Sequence, residues 1–237
     1  VEAIEIGYKG LHLDETLQVF ASIYQYDYDG YQDELQQFDP IRGAGANFVS
    51  NADGITNKGF EVELYYAATE RLTLSGNFSY TETEYGEDYF VFTVDDPINP
   101  VPVFGTFTQG FVSAQVTDPT QASDYTVNLK GGPLKGIPEE KATIRVSYEQ
   151  DRRFGPLYYL LSHSYTGDFS ASGIQRPLDR IDSRETTNLN ISWFSQDGNL
   201  SVRAYIDNLF DNDNYYALST GDHETNYRKS VTALPPR

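Results

Sequence analysis

The chain has 237 residues, with 17 Lys+Arg against 35 Asp+Glu and a formal net charge of −18. That balance excludes a nucleic-acid binder, which needs a basic face for phosphates, and the absence of Cys excludes disulfide scaffolds, Cys-ligated zinc and iron–sulfur clusters. Aromatics at 14% exclude a disordered chain, yet mean hydropathy is only −0.51, so apolar and polar residues must be finely interleaved.

In chain order, Ile4, Ile6 and Tyr8 alternate with Glu5, Gly7 and Lys9, the period-two signature of a strand with two unlike faces. Leu17, Val19, Ala21 and Ile23 follow, with aromatics on the other face from Phe20 and Tyr24 onward. Phe60, Val62, Leu64 and Tyr66 oppose Glu61, Glu63 and Tyr65; Leu72, Leu74, Phe78 and Tyr80 oppose Thr73, Ser75, Asn77, Ser79 and Thr81. Ala142, Ile144, Val146 and Tyr148 oppose Lys141, Thr143, Arg145, Ser147 and Glu149. Leu157–Tyr165 is apolar on odd positions, with Tyr158 and Leu160 interrupting the even ones. Leu189, Ile191 and Trp193, then Leu200, Val202, Ala204 and Ile206, complete the series. These are about eight strands of ~8–12 residues. No segment sustains a 3.6-residue period, and the longest apolar runs, Leu64–Ala68 and Leu157–Leu161, fall far short of the ~20 residues of a spanning helix. The start, Val1-Glu2-Ala3-Ile4-Glu5, has no signal-peptide pattern. The absence of Met suggests a processed product or a piece of something longer.

A soluble sandwich also produces alternation, so the connections discriminate. They are short at 10–15, long at 29–57, short at 68–71, very long at 86–139, short at 150–155, long at 167–185, short at the Asp-Gly turn of 196–199, and long after Phe210. In a meander, alternate connections lie at one end. Tight turns at one end and long loops at the other characterise outer-membrane barrels, and a Greek-key sandwich does not sort its loops this way. The expected fold is therefore all-β: an antiparallel up-and-down meander, forming an open, curved segment of a large transmembrane β-barrel. Long extracellular loops are expected near 30–56, 86–138, 167–185 and 211–230. Tyr24, Tyr26, Tyr28 and Tyr31, Tyr80, Tyr85, Tyr89 and Phe90, Tyr165 and Phe169, and Phe210, Tyr215 and Tyr216 sit where strands enter these loops. An aromatic girdle at the membrane interface is expected there.

Four phrases carry a family resemblance. Asn208-Leu209-Phe210-Asp211, preceded by Tyr205-Ile206-Asp207 and followed by Tyr215-Tyr216, resembles the penultimate-strand signature of TonB-dependent outer-membrane receptors. Asn57-Lys58-Gly59-Phe60-Glu61-Val62-Glu63-Leu64, Glu5-Ile6-Gly7-Tyr8-Lys9 and Gly136-Ile137-Pro138-Glu139-Glu140-Lys141 are similar to recurrent barrel phrases of that family, in the same order. The resemblance implies 1–237 as a partial receptor barrel without its plug and closing strand. It implies a bacterial outer-membrane location and a lipid-contacting outer face. The function implied is capture and import of a scarce solute with TonB-supplied energy, the TonB complex acting through an N-terminal region this chain lacks. Iron–siderophore chelates are the default solute, with other metal chelates, cobalamin and oligosaccharides as further options. A secreted all-β adhesin or carbohydrate binder and a passive porin are the alternatives.

Catalysis finds no support. His12, His163 and His223 share no ligand-like spacing, and no nucleophile, phosphate-loop or dinucleotide motif occurs. No enzyme, metal site or cofactor is expected. The acid-rich stretch Asp27–Glu34 and the run Asp211–Asn214 could supply oxygens to Ca²⁺, but solvated acidic loops are the default. If Phe60, Val62 and Leu64 face lipid, then Glu61 and Glu63, and by the same logic Arg145, Arg203 and Asp207, face the lumen, where charge is tolerated. Loop aromatics Tyr89, Phe90, Phe92, Phe104 and Phe107 are the further ligand candidates that the resemblance implies.

Overall fold

The computed structural model describes residues 1–39, 44–92, 126–173, 179–213, 215–220 and 229–233. Its strands are β1 (Glu2–His12), β2 (Leu17–Tyr28), β3 (Tyr31–Asp39), β4 (Ala44–Ala52), β5 (Ile55–Ala67), β6 (Leu72–Tyr85), β7 (Phe90–Phe92), β8 (Thr126–Asn128), β9 (Glu140–Gln150), β10 (Leu157–Thr166), β11 (Phe169–Ser170), β12 (Arg180–Ile181), β13 (Arg184–Phe194), β14 (Ser201–Ile206), β15 (Tyr215–Thr220) and β16 (Lys229–Ala233). No α-helix occurs among the described residues.

One eight-stranded sheet runs β1-β2-β5-β6-β9-β10-β13-β14. Every pairing in it is antiparallel and between consecutive strands of the meander. The sheet is open, with β1 and β14 at its edges. All eight alternating segments of the sequence are its strands. The long connections contain hairpins of their own, β3–β4, β7–β8 and β11–β12, and β15–β16 follows β14.

Register aligns the alternation across the sheet. Ile6, Ile23, Phe60 and Tyr80 stand in one row. Leu74, Val146, Leu161, Leu189 and Ile206 stand in another. A one-residue slip would exchange the faces of a whole strand, so this agreement makes one continuous apolar face. Among the described residues that face has no cover: Ile6 is 65% exposed and Ile144 58%. Phe60 packs laterally against Phe78 and Tyr80, at centroid distances of 5.7 and 5.9 Å. The opposite face carries Glu61, Ser79 and Lys141 in one row and Ser75, Arg145, Ser162 and Asn188 in another.

The buried residues lie where the sheet meets the long connections. Ala52, Ile55, Tyr85, Leu129 and Leu134 form a cluster, with Tyr28, Tyr31, Tyr89 and Ile137 packed around it. Tyr28, Ile55 and Tyr85 share one row of the polar face, so the roots of the long connections close over that side of the sheet at this end.

The parity of β2 corrects the aromatic-girdle expectation. Tyr24, Tyr26 and Tyr28 pair with Gly59, Asn57 and Ile55 on the polar face, and Tyr85 belongs to that same face. None of the four can ring the apolar band. Distance from the long loop fixed their depth along the strand, whereas odd or even position fixes the face.

Gly59 is needed because two groups occupy the space of a side chain there. A Cβ would collide with the Tyr80 carbonyl oxygen and come within 2.8 Å of the Tyr24 hydroxyl. The Tyr24 ring lies across β5 over this glycine, and its hydroxyl bonds that of Thr81 on β6 at 2.8 Å. Gly59→Val is expected to displace Tyr24 and destabilise the sheet by about 1–3 kcal/mol, the usual cost of overpacking. Thermal unfolding, followed by heat-modifiable gel mobility, measures it.

Candidate functional site: the polar face and the loop roots

The sequence-derived candidates share a face without forming a cluster. Glu61 and Glu63 stand on β5 opposite Ser79 and Asn77. Arg145 stands on β9 between Ser75 and Ser162, and Arg203 on β14 opposite Ser192. Asp207 follows β14 directly. Even Glu61 and Lys141, in one row, are separated by β6, which at ~4.8 Å per strand keeps them about 9–10 Å apart.

The charges are sorted across the sheet. Carboxylates Glu5, Glu61 and Glu63 lie on β1 and β5, while cations Lys141, Arg145, Arg184 and Arg203 lie on β9, β13 and β14. Lys9, whose ammonium stands 4.8 Å over the Phe20 ring, and the carboxylates Glu149 on β9 and Asp207 after β14 are the exceptions. The Arg184 guanidinium lies 5.8 Å from the Phe169 ring centre, with Nη1 buried and unbonded. At the short-turn end of the face, Arg203 lines a cleft of about 500 Å³ with Arg71, Glu149, Tyr158, Asn190 and Ser192.

At the other end, a buried polar network anchors the loop roots. Asp33 at the start of β3 is 4% exposed. It accepts a hydrogen bond from the Tyr85 hydroxyl at 2.7 Å and pairs with Lys135 Nζ at 3.0 Å. The Leu134 N–H donates to Thr83 Oγ1 at 3.0 Å. Tyr89 stacks on Tyr85 at 5.5 Å and hydrogen-bonds Ser50. The two longest connections, 29–57 and 86–139, are thereby both fastened to β6. The default of solvated acidic loops therefore needs correction at Asp33: this carboxylate is buried because its two partners lie 52 and 102 residues away, beyond any local pattern. Among the described residues no group of three or more His, Cys, Asp or Glu could hold a metal ion.

Tyr89 thus sits against the loop-root cluster. Phe92 falls in β7. Phe104, Phe107 and His223 lie outside the described residues. His12 bonds the Tyr8 hydroxyl at 2.8 Å, and His163 bonds Thr187 Oγ1 at 2.9 Å.

The Asn208-Leu209-Phe210 signature builds a turn. Asn208 is 5% exposed with φ of 51°, a left-handed conformation that Asn tolerates better than most residues. Its carboxamide accepts from Asn212 N–H at 3.1 Å and donates to Asn212 O at 3.0 Å. Its own N–H donates to Asn188 Oδ1 at 2.9 Å, and Leu209 N–H donates to Thr187 O at 2.7 Å. Phe210 projects outward, 67% exposed. Asn208→Ala removes both side-chain bonds and the left-handed preference. It is expected to destabilise the β13–β14 edge by about 1–3 kcal/mol, measurable as a lower unfolding temperature of the folded barrel band.

Comparison with known proteins agrees with this geometry. The model of the family described as TonB dependent receptor-like, beta-barrel matches residues 1–209. The chain belongs to the TonB-dependent receptor β-barrel family. A search of curated protein sequences finds no match. Among solved structures, the ferric yersiniabactin uptake receptor FyuA from Yersinia pestis is similar at TM-score 0.63 and 14% identity, over 98% of this chain and 28% of that one. The siderophore receptor PiuA from Acinetobacter baumannii is similar at TM-score 0.62 and 16% identity, over 99% and 26%. The ferric citrate transporter FecA is similar at 0.61 and 14%, over 99% and 29%. At these identities the likeness concerns the fold, and this TonB-dependent receptor segment spans under a third of each neighbour's length.

Proposed function

We propose that the chain is a barrel segment of an outer-membrane active-transport receptor that binds a ferric siderophore chelate and imports it with TonB-supplied energy. It performs no catalysis. The observation that carries this reading is the two-faced open sheet, whose apolar face has no cover among the described residues and whose opposite face carries most of the polar and charged strand residues. Membership of a family of transport receptors supports it, as do neighbours named for ferric uptake.

The apolar face meets lipid and the polar face lines the lumen. Long loops are extracellular, near 30–56, 86–138, 167–185 and 211–230. Glu61, Glu63, Arg145, Arg203 and Asp207 face the interior, and loop aromatics including Tyr89, Phe92, Phe104 and Phe107 contribute to capture. Coupling to TonB falls to the receptor's plug. The test is to delete the gene, then measure uptake of radio-iron chelates of several classes and the protein's membrane fraction. Loss of uptake for one chelate class, with the protein in the outer membrane, is expected. Unchanged uptake for every chelate, or a soluble location, contradicts the proposal.

A further inference from the structure

Four tyrosines make a continuous ladder up the polar face. Tyr24, Tyr26, Tyr28 and Tyr31 follow one another at ring-centroid distances of 5.3, 6.4 and 6.0 Å. The lower rungs are fixed by hydroxyl contacts: Tyr24 to Thr81 at 2.8 Å, and Tyr26 donating to Glu5 at 3.4 Å. Beside the ladder, Asn57 stands opposite both Tyr26 and Thr83. Its Oδ1 is buried and has no hydrogen-bond donor. This oxygen is closed to solvent and is no ligand contact itself, but its unpaired carbonyl dipole adds negative potential beside the rings.

The surroundings set the sign of charge that fits. Glu5 stands directly opposite Tyr24, and Glu61 opposite Ser22 one rung below. Ring faces carry negative potential and attract cations. At the two ends, Lys9 lies over Phe20 and Lys135 is held by Asp33. The other cations of this face stand on β9, β13 and β14, with β5 and β6 intervening. Carboxylates, ring faces and the Asn57 carbonyl dipole all favour a solute without net negative charge.

We infer that this ladder is an interior binding track for an uncharged or cationic ferric chelate of the hydroxamate class, and that it disfavours catecholate chelates. Three hydroxamates neutralise Fe³⁺, whereas three catecholates leave a trianion. Amide N–H or ammonium groups of such a chelate meet Glu5 and Glu61, and its methylene stretches lie across the tyrosine rings. This assignment rests on the ferric-chelate reading proposed above and narrows it.

The test uses the intact receptor purified in detergent, with the cationic ferric desferrioxamine B complex and a trianionic ferric tris-catecholate as probes in equilibrium binding. The hydroxamate is expected to bind more tightly. Tyr24→Ala/Tyr26→Ala is expected to weaken it about ten-fold, as for other aromatic anchors. Tyr24→Phe/Tyr26→Phe keeps the rings and should remain within about three-fold. Glu5→Gln/Glu61→Gln should narrow the preference between the two probes, a readout that misfolding does not mimic. Preferred catecholate binding, or hydroxamate affinity unchanged in the alanine variant, overturns the ladder while leaving the ferric-chelate reading intact. Failure to bind any ferric chelate overturns both.

Discussion

Ile144→Lys is expected to lower the stability of the membrane-inserted barrel by about 2–4 kcal/mol, the cost of a cation near the bilayer midplane. Ile144 lies near the middle of β9 on the apolar face, between Gly76 and His163, and is 58% exposed in the chain alone. It buries little against protein, so a water-facing position would tolerate Lys within about 0.5 kcal/mol. The size of the effect therefore reports the solvent and not lost packing. Thr143→Lys, one residue away on the polar face beside Asn77 and Ser164, is expected to be nearly silent. Unfolding of the receptor from lipid vesicles by denaturant, or the yield of heat-modifiable barrel in the outer membrane, measures the contrast.

The second large effect is expected at Asp33. Asp33→Ala strands the Tyr85 hydroxyl in a buried site and removes the carboxylate from Lys135. Breaking a fully buried pair costs about 3–5 kcal/mol. The Lys135 side chain is 33% exposed, which reduces the expected loss to about 2–3 kcal/mol. The damage should be local, because β3 and β4 pair with each other and lie outside the eight-stranded sheet. Limited proteolysis is expected to cut within 29–54 in the variant while the sheet strands stay protected. Tyr85→Phe, which removes one hydrogen bond and keeps the ion pair, should open the loop less, by about 1 kcal/mol.

These two sites differ in how far the sequence revealed them. The apolar face was legible because each sheet strand has two unlike environments, and Ala142–Tyr148 or Leu200–Ile206 records them in alternate letters. The same logic placed Glu61, Glu63, Arg145 and Arg203 together on the polar face. It could not give their separation, since register between strands is set by pairing and not by parity. Hairpin β3–β4 was hidden because Tyr31-Gln32-Asp33-Glu34 shows no clean alternation. Once a strand leaves the two-faced sheet, nothing forces the pattern. Asp33 looked like one acid among several, and its partners come from the end of β6 (Tyr85) and from the next long connection (Lys135). The alternation of β2 already puts its tyrosines on the face opposite Leu17–Ile23, as the register has them, and only their clustering near a loop suggested a membrane girdle. Asn208 was noticed as part of a phrase, and the turn explains why Asn occupies it: a left-handed backbone and a carboxamide that both accepts and donates.

The central claim is that β9 separates lipid from a polar interior. Single spin labels placed in turn at positions 142 to 148 of the intact receptor in lipid vesicles test it most directly, through their collision rates with oxygen, which concentrates in lipid, and with a water-soluble nickel chelate. Strict alternation is expected, with oxygen access high at 142, 144, 146 and 148 and low at 143, 145 and 147. Equal access to the nickel chelate on both parities, as for a sheet with water or protein on each side, would contradict it.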